Sequence, residues 1–140
     1  MNLTSLITDN ISEILAKIIE FTQIRQTILT KNINNVHQPG FIPKDLAVHE
    51  FCELLNHAID YHTQNQQLVL RDTENIKFGA NGSFEAKPLP DKYAENLLKK
   101  NRDEYLELQI NKLMENSLNQ RVAAELFKQK RETISVSWLS

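Results

Sequence analysis

The first quarter of the chain repeats apolar residues with the period of an α-helix. Charged and amide side chains occupy the opposite face, and Asp9 or Asn10 can cap the start. We therefore predict a long N-terminal helix over residues 9–35, with room for an extra turn upstream through residues 3–7. Its apolar stripe consists of Ile11, Ile14, Leu15, Ile18, Ile19, Phe21, Ile24, Ile28 and Leu29.

A dense turn signal follows this helix over residues 36–45. Pro39 disfavours the helical conformation in the residue before it. Pro39 and Gly40 fit a type II turn, in which glycine supplies the positive φ. Phe41 and Ile42 are then expected to dock as an apolar pair. Just before the turn, the helix contains three residues whose side chains compete for backbone groups: Asn32, Asn34 and Asn35.

A shorter second helix is predicted over residues 46–63, with Asp45 as its cap. The pattern then changes over residues 64–90. Two short runs flank Asn81-Gly82, a dipeptide typical of a tight hairpin turn. Because an isolated two-stranded hairpin is only marginally stable, a polar loop remains the alternative.

A last helix is predicted over residues 91–131, starting at Asp91 or Asp103. Basic residues crowd its C-terminal end, where they suit the helix dipole. Residues 132–140 form a β-prone tail. The chain is thus predicted to be one all-α domain, 1–140, whose long terminal helices pack as a coiled-coil-like pair. These helices carry stripes too long to bury within one subunit, so an assembly surface is expected at Ile14, Ile18, Ile28, Ile110, Leu113, Leu118 and Phe127.

Composition narrows the functional classes. Three glycines in 140 residues are too few for a Gly-rich phosphate-binding loop. The net charge of −2 argues against nucleic-acid binding. No stretch reaches the roughly 18 apolar residues of a membrane span. The N-terminus lacks the features of a cleavable secretory signal.

Candidate chemistry is sparse. His49 and Cys52 stand one helical turn apart and could start a zinc site, but a half-buried helix face is the simpler interpretation. His57 and His62 lie near Asp60, yet nothing supplies an oxyanion hole. We therefore expect no enzyme activity, no cofactor, no metal and no small-molecule substrate.

The motif that ends the first helix is more specific than a generic stop. A long amphipathic helix closing in Asn-Ile-x-Asn-x-x-x-Pro-Gly-Phe resembles the N-terminal signature of the bacterial flagellar rod, hook and axial protein family. Asn34, His37 and Gln38 depart from the usual residues. The matching positions are Asn32, Ile33, Asn35, Pro39, Gly40 and Phe41.

The C-terminal helix is similar to the closing helix of the proximal rod proteins of that family, at Glu115-Asn116-Ser117-Leu118 and Gln120. The resemblance implies a non-enzymatic rod subunit of the flagellar basal body in the periplasm. It further implies type III export without a cleavable signal peptide. The implied partners are copies of the chain, other rod proteins, and the membrane ring and export gate.

Two alternatives stay open. One is a cytoplasmic helical adaptor that merely shares the Pro-Gly turn. The other is a small His/Cys metal-binding protein.

Overall fold

The computed structural model describes the backbone of residues 3–79 and 83–139, and the side chains of 10–79 and 83–130. It is mostly helical, as predicted. Within the described residues, no helix is both long and apolar enough to cross a membrane. The elements in chain order are α1 (Leu3–Asn34), β1 (Lys44–Asp45), α2 (Val48–Asn65), β2 (Ile76–Lys77), β3 (Glu85–Ala86), β4 (Leu89–Pro90), α3 (Lys92–Lys100) and α4 (Arg102–Leu139).

The two long terminal helices pack against each other, which confirms their predicted pairing. They run antiparallel, because Asn32 near the end of α1 contacts Gln109 near the start of α4, while Thr22 contacts Asn116 further along. Buried positions recur every seven residues, the spacing of helices that pack side by side. On α1 these are Leu15, Thr22 and Leu29, and on α4 they are Gln109, Asn116 and Ala123.

Helix α2 packs on a second side of α1, and aromatic rings form the contact. Phe21 and Phe51 stack with ring centroids 4.0 Å apart. Phe78 joins them from the segment after β2, with its ring 6.2 Å from Phe51. The core therefore depends on α1 being covered on two sides, by α4 and by α2. The buried cluster consists of Phe21, Leu46, Phe51, Leu55, Ile76 and Phe78.

The chain between α1 and α3 contains two small antiparallel sheets of two strands each. In one, Ile76 pairs with Ala86 and Lys77 with Glu85, so the hairpin alternative applies to this segment. The predicted Asn-Gly turn lies outside the described residues. In the other, β1 pairs with β4, which brings the chain after the turn beside the chain before α3.

The predicted start of the second helix is wrong. It begins at Val48, and its N-cap residue Ala47 makes no side-chain capping bond. Asp45 lies in β1 instead. Its carboxylate accepts from the backbone N–H of Leu46 and binds Arg25, so it is not available to cap α2.

The predicted single C-terminal helix is also wrong in two places. Asn101 is extended, with φ −152° and ψ 100°, and separates α3 from α4. Asp91 caps α3 through the N–H of Ala94, and Asn101 rather than Asp103 caps α4 through the N–H of Glu104. The β-prone tail is helical to Leu139, because continuing an established helix outweighs weak local preferences.

Candidate functional site

The Pro-Gly motif forms the turn that the sequence predicts. The N–H of Phe41 donates to the carbonyl of Gln38 at 3.2 Å, which closes a four-residue turn. Gly40 has φ +74°, so the expected positive φ is confirmed. Phe41 is half-buried, but Ile42 is 48% exposed, so the predicted docking of both as a pair is wrong. Pro43 is the buried residue instead.

Asn32 joins three elements at this turn. Its Nδ2 donates to the carbonyl of Lys44 at 2.7 Å, and the N–H of Lys44 donates to its Oδ1 at 3.1 Å. The side chain thus pairs with β1 as a neighbouring strand would. Nδ2 also donates to Oε1 of Gln109 at 3.0 Å, and the hydroxyl of Tyr105 donates to the carbonyl of Asn32 at 2.8 Å. Asn32 therefore fixes the end of α1 to both β1 and α4.

A charged cluster lies next to this joint. Arg25 binds both carboxylate oxygens of Asp45, at 2.9 and 3.1 Å. The Nζ of Lys112 on α4 donates to Asp45 at 3.0 Å and to Asp91 at 2.8 Å. These side chains are mostly shielded from solvent. One chain of ion pairs therefore connects α1, β1, α4 and the cap of α3.

The protonation states of the cluster are set by competition between burial and charge. Burial alone raises the pKa of Asp45, but the hydrogen bonds and charges of Arg25 and Lys112 outweigh it, so the pKa lies below its ordinary value. Burial lowers the pKa of Lys112, but Asp91 and Asp45 outweigh it and raise that pKa overall. Burial and the charge of Asp91 raise the pKa of Tyr105 to about 12. Asp45 and Lys112 are therefore both charged at neutral pH, and Tyr105 remains a hydrogen-bond donor.

The other motif residues are less constrained. Asn35 donates from Nδ2 to the carbonyl of Lys31 at 2.8 Å, an oxygen that also accepts from the backbone N–H of Asn35 at 3.0 Å. Ile33 is half-buried. A groove of about 520 Å³ lies beside the turn, with Ile28, Phe41 and Pro88 among its lining residues.

The residues of the predicted assembly stripe fall into two groups, those packed within the subunit and those exposed to solvent. On α1, the side chains of Ile14, Ile18 and Ile28 are partly buried against the aromatic core of the same subunit. On α4, Leu113 and Phe127 are half-buried. Only two of the predicted stripe residues are exposed large apolar side chains, Ile110 at 45% and Leu118 at 57%.

These two residues belong to a longer exposed row on α4. Its members follow one another at intervals of four residues, so each lies next to the one before it and the row winds around the helix by about 40° at each step. We call this row the α4 ridge: Ile110, Met114, Leu118, Val122 and Leu126, each between 43% and 66% exposed. The apolar pattern alone could not separate this ridge from the buried face, because apolar residues occur on both.

The buried face of α4 is unexpectedly polar. Asn116 donates from Nδ2 to the carbonyl of Thr22 at 2.8 Å, and Gln109 accepts from Asn32. We call these four residues, Thr22, Asn32, Gln109 and Asn116, the polar seam. Nε2 of Gln109 is buried without a hydrogen-bond partner. In the sequence these positions are one threonine and three amides among apolar residues, and although Asn32 and Asn116 belong to the resembling motifs, their burial could not be inferred from the pattern.

The candidate zinc pair acquires no further ligands. Cys52 is exposed rather than half-buried, and Nε2 of His49 lies 3.0 Å from the carboxylate of Glu53 at an open surface. His57 and Asp60 are likewise exposed. Among the side chains of residues 10–79 and 83–130, no group of three or more His, Cys, Asp or Glu is placed to hold a metal ion.

Comparison with family models, with curated proteins and with solved structures finds no match to this chain. The turn, the polar seam and the α4 ridge are therefore the features from which a function is inferred.

Proposed function

We propose that the chain is a structural subunit of the flagellar basal-body rod, which links the membrane ring and export gate to the distal rod. In this proposal it leaves the cytoplasm through the type III export channel and assembles in the periplasm. It packs by its helices against its own copies and against other rod proteins.

The observation that carries the proposal is the position of the resembling motif in the fold. Asn32 and the Pro39-Gly40 turn are not a peripheral helix stop. They form the joint at which α1, β1 and α4 are held together by Asn32, Tyr105 and Gln109. This position of the motif supports a role in which the protein presents two long helices in a fixed arrangement.

Two further features support a structural role. The ionised groups of the charged cluster are all paired with one another, so they serve to tie elements together. The α4 ridge exposes five apolar side chains in one row, and exposed apolar rows of this kind usually mark contact surfaces.

The test is fractionation of cells that produce the chain with a small epitope tag. We expect the chain to sediment with detergent-extracted basal bodies, and a deletion strain to be non-motile and to lack rods. A membrane-ring protein serves as the fractionation control. A motile deletion strain, or a chain absent from basal bodies that contain the ring, would contradict the proposal.

The same experiment addresses the adaptor alternative. A cytoplasmic adaptor would remain in the soluble fraction, and its removal would leave complete rods in place. Metal analysis of the purified chain addresses the metal-binding alternative, for which Cys52→Ala is the matched variant.

A further inference from the structure

We infer that the groove beside the Pro39-Gly40 turn is a docking site for an extended segment of a partner protein that carries both apolar and acidic side chains. We call this site the turn groove. The inference goes beyond the proposed function, in which the contacts between subunits are made by helices.

The turn groove combines apolar side chains with two lysines. Ile28, Phe41 and Pro88 contribute apolar lining to its volume of about 520 Å³. Lys31 and Lys44 also line it, and both residues are exposed. The volume lies within the range of about 300–1,000 Å³ that is usual for binding clefts. The groove therefore offers a ligand both apolar contact and positive charge.

The positive charge of the groove is not compensated within the chain. No ion pair of the described residues involves Lys31 or Lys44. None of the described residues that line the groove is acidic, although the chain as a whole has 18 acidic residues against 16 basic ones. Complementary charge at a contact selects the partner. The groove therefore favours a ligand that carries carboxylates.

The backbone at the edge of the groove alternates between two directions, as in a strand. The N–H and carbonyl of Lys44 both bond to the side chain of Asn32, which lines the groove. The carbonyl of Pro43 accepts from the N–H of Asp91 at 2.9 Å, on the opposite edge. Hydrogen-bonding groups of alternate residues in a strand point to the same edge.

Ile42 has free backbone groups on the groove side. It precedes a proline, so the extended conformation is favoured, and it lies two residues before Lys44. Its N–H and carbonyl therefore point to the same edge as those of Lys44, and no hydrogen bond within the described residues uses them. These groups can pair with the backbone of an added strand.

These features together specify an extended segment as the occupant. A strand paired with Ile42 directs every second side chain toward the apolar lining of the groove. The carboxylates between them can be reached by Lys31 and Lys44, because lysine has a long and flexible stem. A helix would leave the backbone groups of Ile42 unpaired, since its own are bonded internally.

Fluorescence anisotropy with a labelled synthetic peptide tests the site on the purified chain. The probe is a short peptide of alternating valine and glutamate, and the control peptide replaces each glutamate with lysine. We expect the chain to bind the glutamate peptide roughly tenfold or more tightly than the lysine peptide. The difference should shrink as the salt concentration rises, because salt screens exposed charges.

Charge reversal in the groove tests its position. Lys44→Glu should weaken binding of the glutamate peptide by on the order of tenfold, and Lys31→Glu should act in the same direction. Lys128→Glu is the matched control, because it makes the same charge change at an exposed residue of α4. At about 1.5 Å per residue, Lys128 lies about 28 Å along the helix from Gln109, the residue that contacts Asn32 beside the groove. This variant should bind normally.

A pair of variants at Ile42 tests the backbone contact. Ile42→Pro removes the N–H, whereas Ile42→Ala shortens the side chain and keeps the N–H. Ile42→Pro should therefore weaken binding more than Ile42→Ala. Circular dichroism should show unchanged helix content in all variants. The lysine variants change only exposed side chains, so they test the site even where Ile42→Pro loses structure.

Four results would overturn the inference. They are no binding of the glutamate peptide, equal affinity for the two peptides, equal weakening by Lys44→Glu and Lys128→Glu, or a different occupant. A different occupant is shown by self-association of the chain, or by its sedimentation with phosphatidylglycerol vesicles, that Lys44→Glu abolishes. All of these measurements use purified protein, so failure of the inference is distinguishable from failure of the chain to enter the rod.

Discussion

The turn after α1 depends on the backbone conformation of one residue, Gly40. Its φ of +74° is a value that only glycine adopts without strain, and asparagine tolerates better than other residues. A Cβ at this position would have no atom within 4 Å. The effect of a substitution therefore comes from the backbone alone and not from a clash.

We expect Gly40→Val to lower the free energy of unfolding by about 1–3 kcal/mol, because valine must be held in a strained region. It should also misplace Phe41 and reduce motility. Urea denaturation measures the first effect and a swimming assay the second. Gly40→Asn is the control and should cost distinctly less. Equal stability of Gly40→Val and the native chain would show that the turn does not need this conformation.

Protonation of Asp45 should contribute to the loss of folding stability at acidic pH. Its pKa is lowered in the folded state, so on acidification the unfolded chain takes up the proton first. The stabilisation is therefore complete well above pH 4 and is lost as the pH falls through the folded pKa. At neutral pH, Asp45→Asn should destabilise the chain by about 3 kcal/mol or more, because it leaves Arg25 without its partner.

The measurement is the urea midpoint between pH 7 and pH 3 for both chains. Asp45→Asn should show a shallower decline than the native chain. Glu53→Gln removes an exposed carboxylate and should change stability by no more than about 0.5 kcal/mol. If both variants follow the same pH profile as the native chain, the charged cluster does not contribute to acid sensitivity.

At the scale of elements, Asn32 is the joint on which α1, β1 and α4 depend. Asn32→Ala would leave three groups without the partner that Asn32 provides. They are the backbone N–H of Lys44, the carbonyl of Lys44 and Oε1 of Gln109. A buried polar group left without a partner costs about 1–3 kcal/mol. We expect a loss of at least that size in chemical denaturation, together with weaker hydrogen-exchange protection at Lys44.

Asn35→Ala is the matched control for this change, because it belongs to the same motif but makes only an exposed bond to Lys31. It should lose less than about 1 kcal/mol, as is usual for a surface substitution. Equal losses in the two variants would mean that the motif acts only as a helix end.

The elements themselves were largely predictable from periodicity. The long N-terminal helix, its end near Asn34 and the pairing of the terminal helices follow from apolar residues at helical spacing. The break at Asn101 does not, because one more polar residue in an amphipathic pattern looks like part of the solvent face. The role of Asp45 could not be predicted from periodicity either, because its partners Arg25 and Lys112 are 20 and 67 residues away in the sequence.

At the scale of the whole molecule, each terminal helix has a different relation to its surroundings. α1 is covered by α4 on one side and by α2 on another, so its predicted assembly residues pack within the subunit. Over residues 102–130, where its side chains are described, α4 buries Tyr105, Gln109, Asn116 and Ala123 and presents its ridge outward. The sequence shows two apolar stripes of similar length, and only the packing reveals that one is internal.

Under the proposed function, Leu118→Asp should prevent incorporation into the rod. The side chain is 57% exposed, so the helix content and thermal midpoint of the isolated chain should change little. Basal-body fractionation and circular dichroism measure the two effects. Ile59→Asp should be incorporated normally, and normal incorporation of Leu118→Asp would remove the ridge from the assembly surface.

The polar seam has a mechanical consequence. An apolar helix interface can slip by a turn and regain similar contacts, because dispersion forces have little directionality. Hydrogen bonds from Asn116 to Thr22 and from Asn32 to Gln109 are formed at one alignment only. A pull along the helix axes therefore loads both bonds simultaneously in shear, whereas a pull across the axes opens them one after another. The pair is built to resist sliding more than peeling.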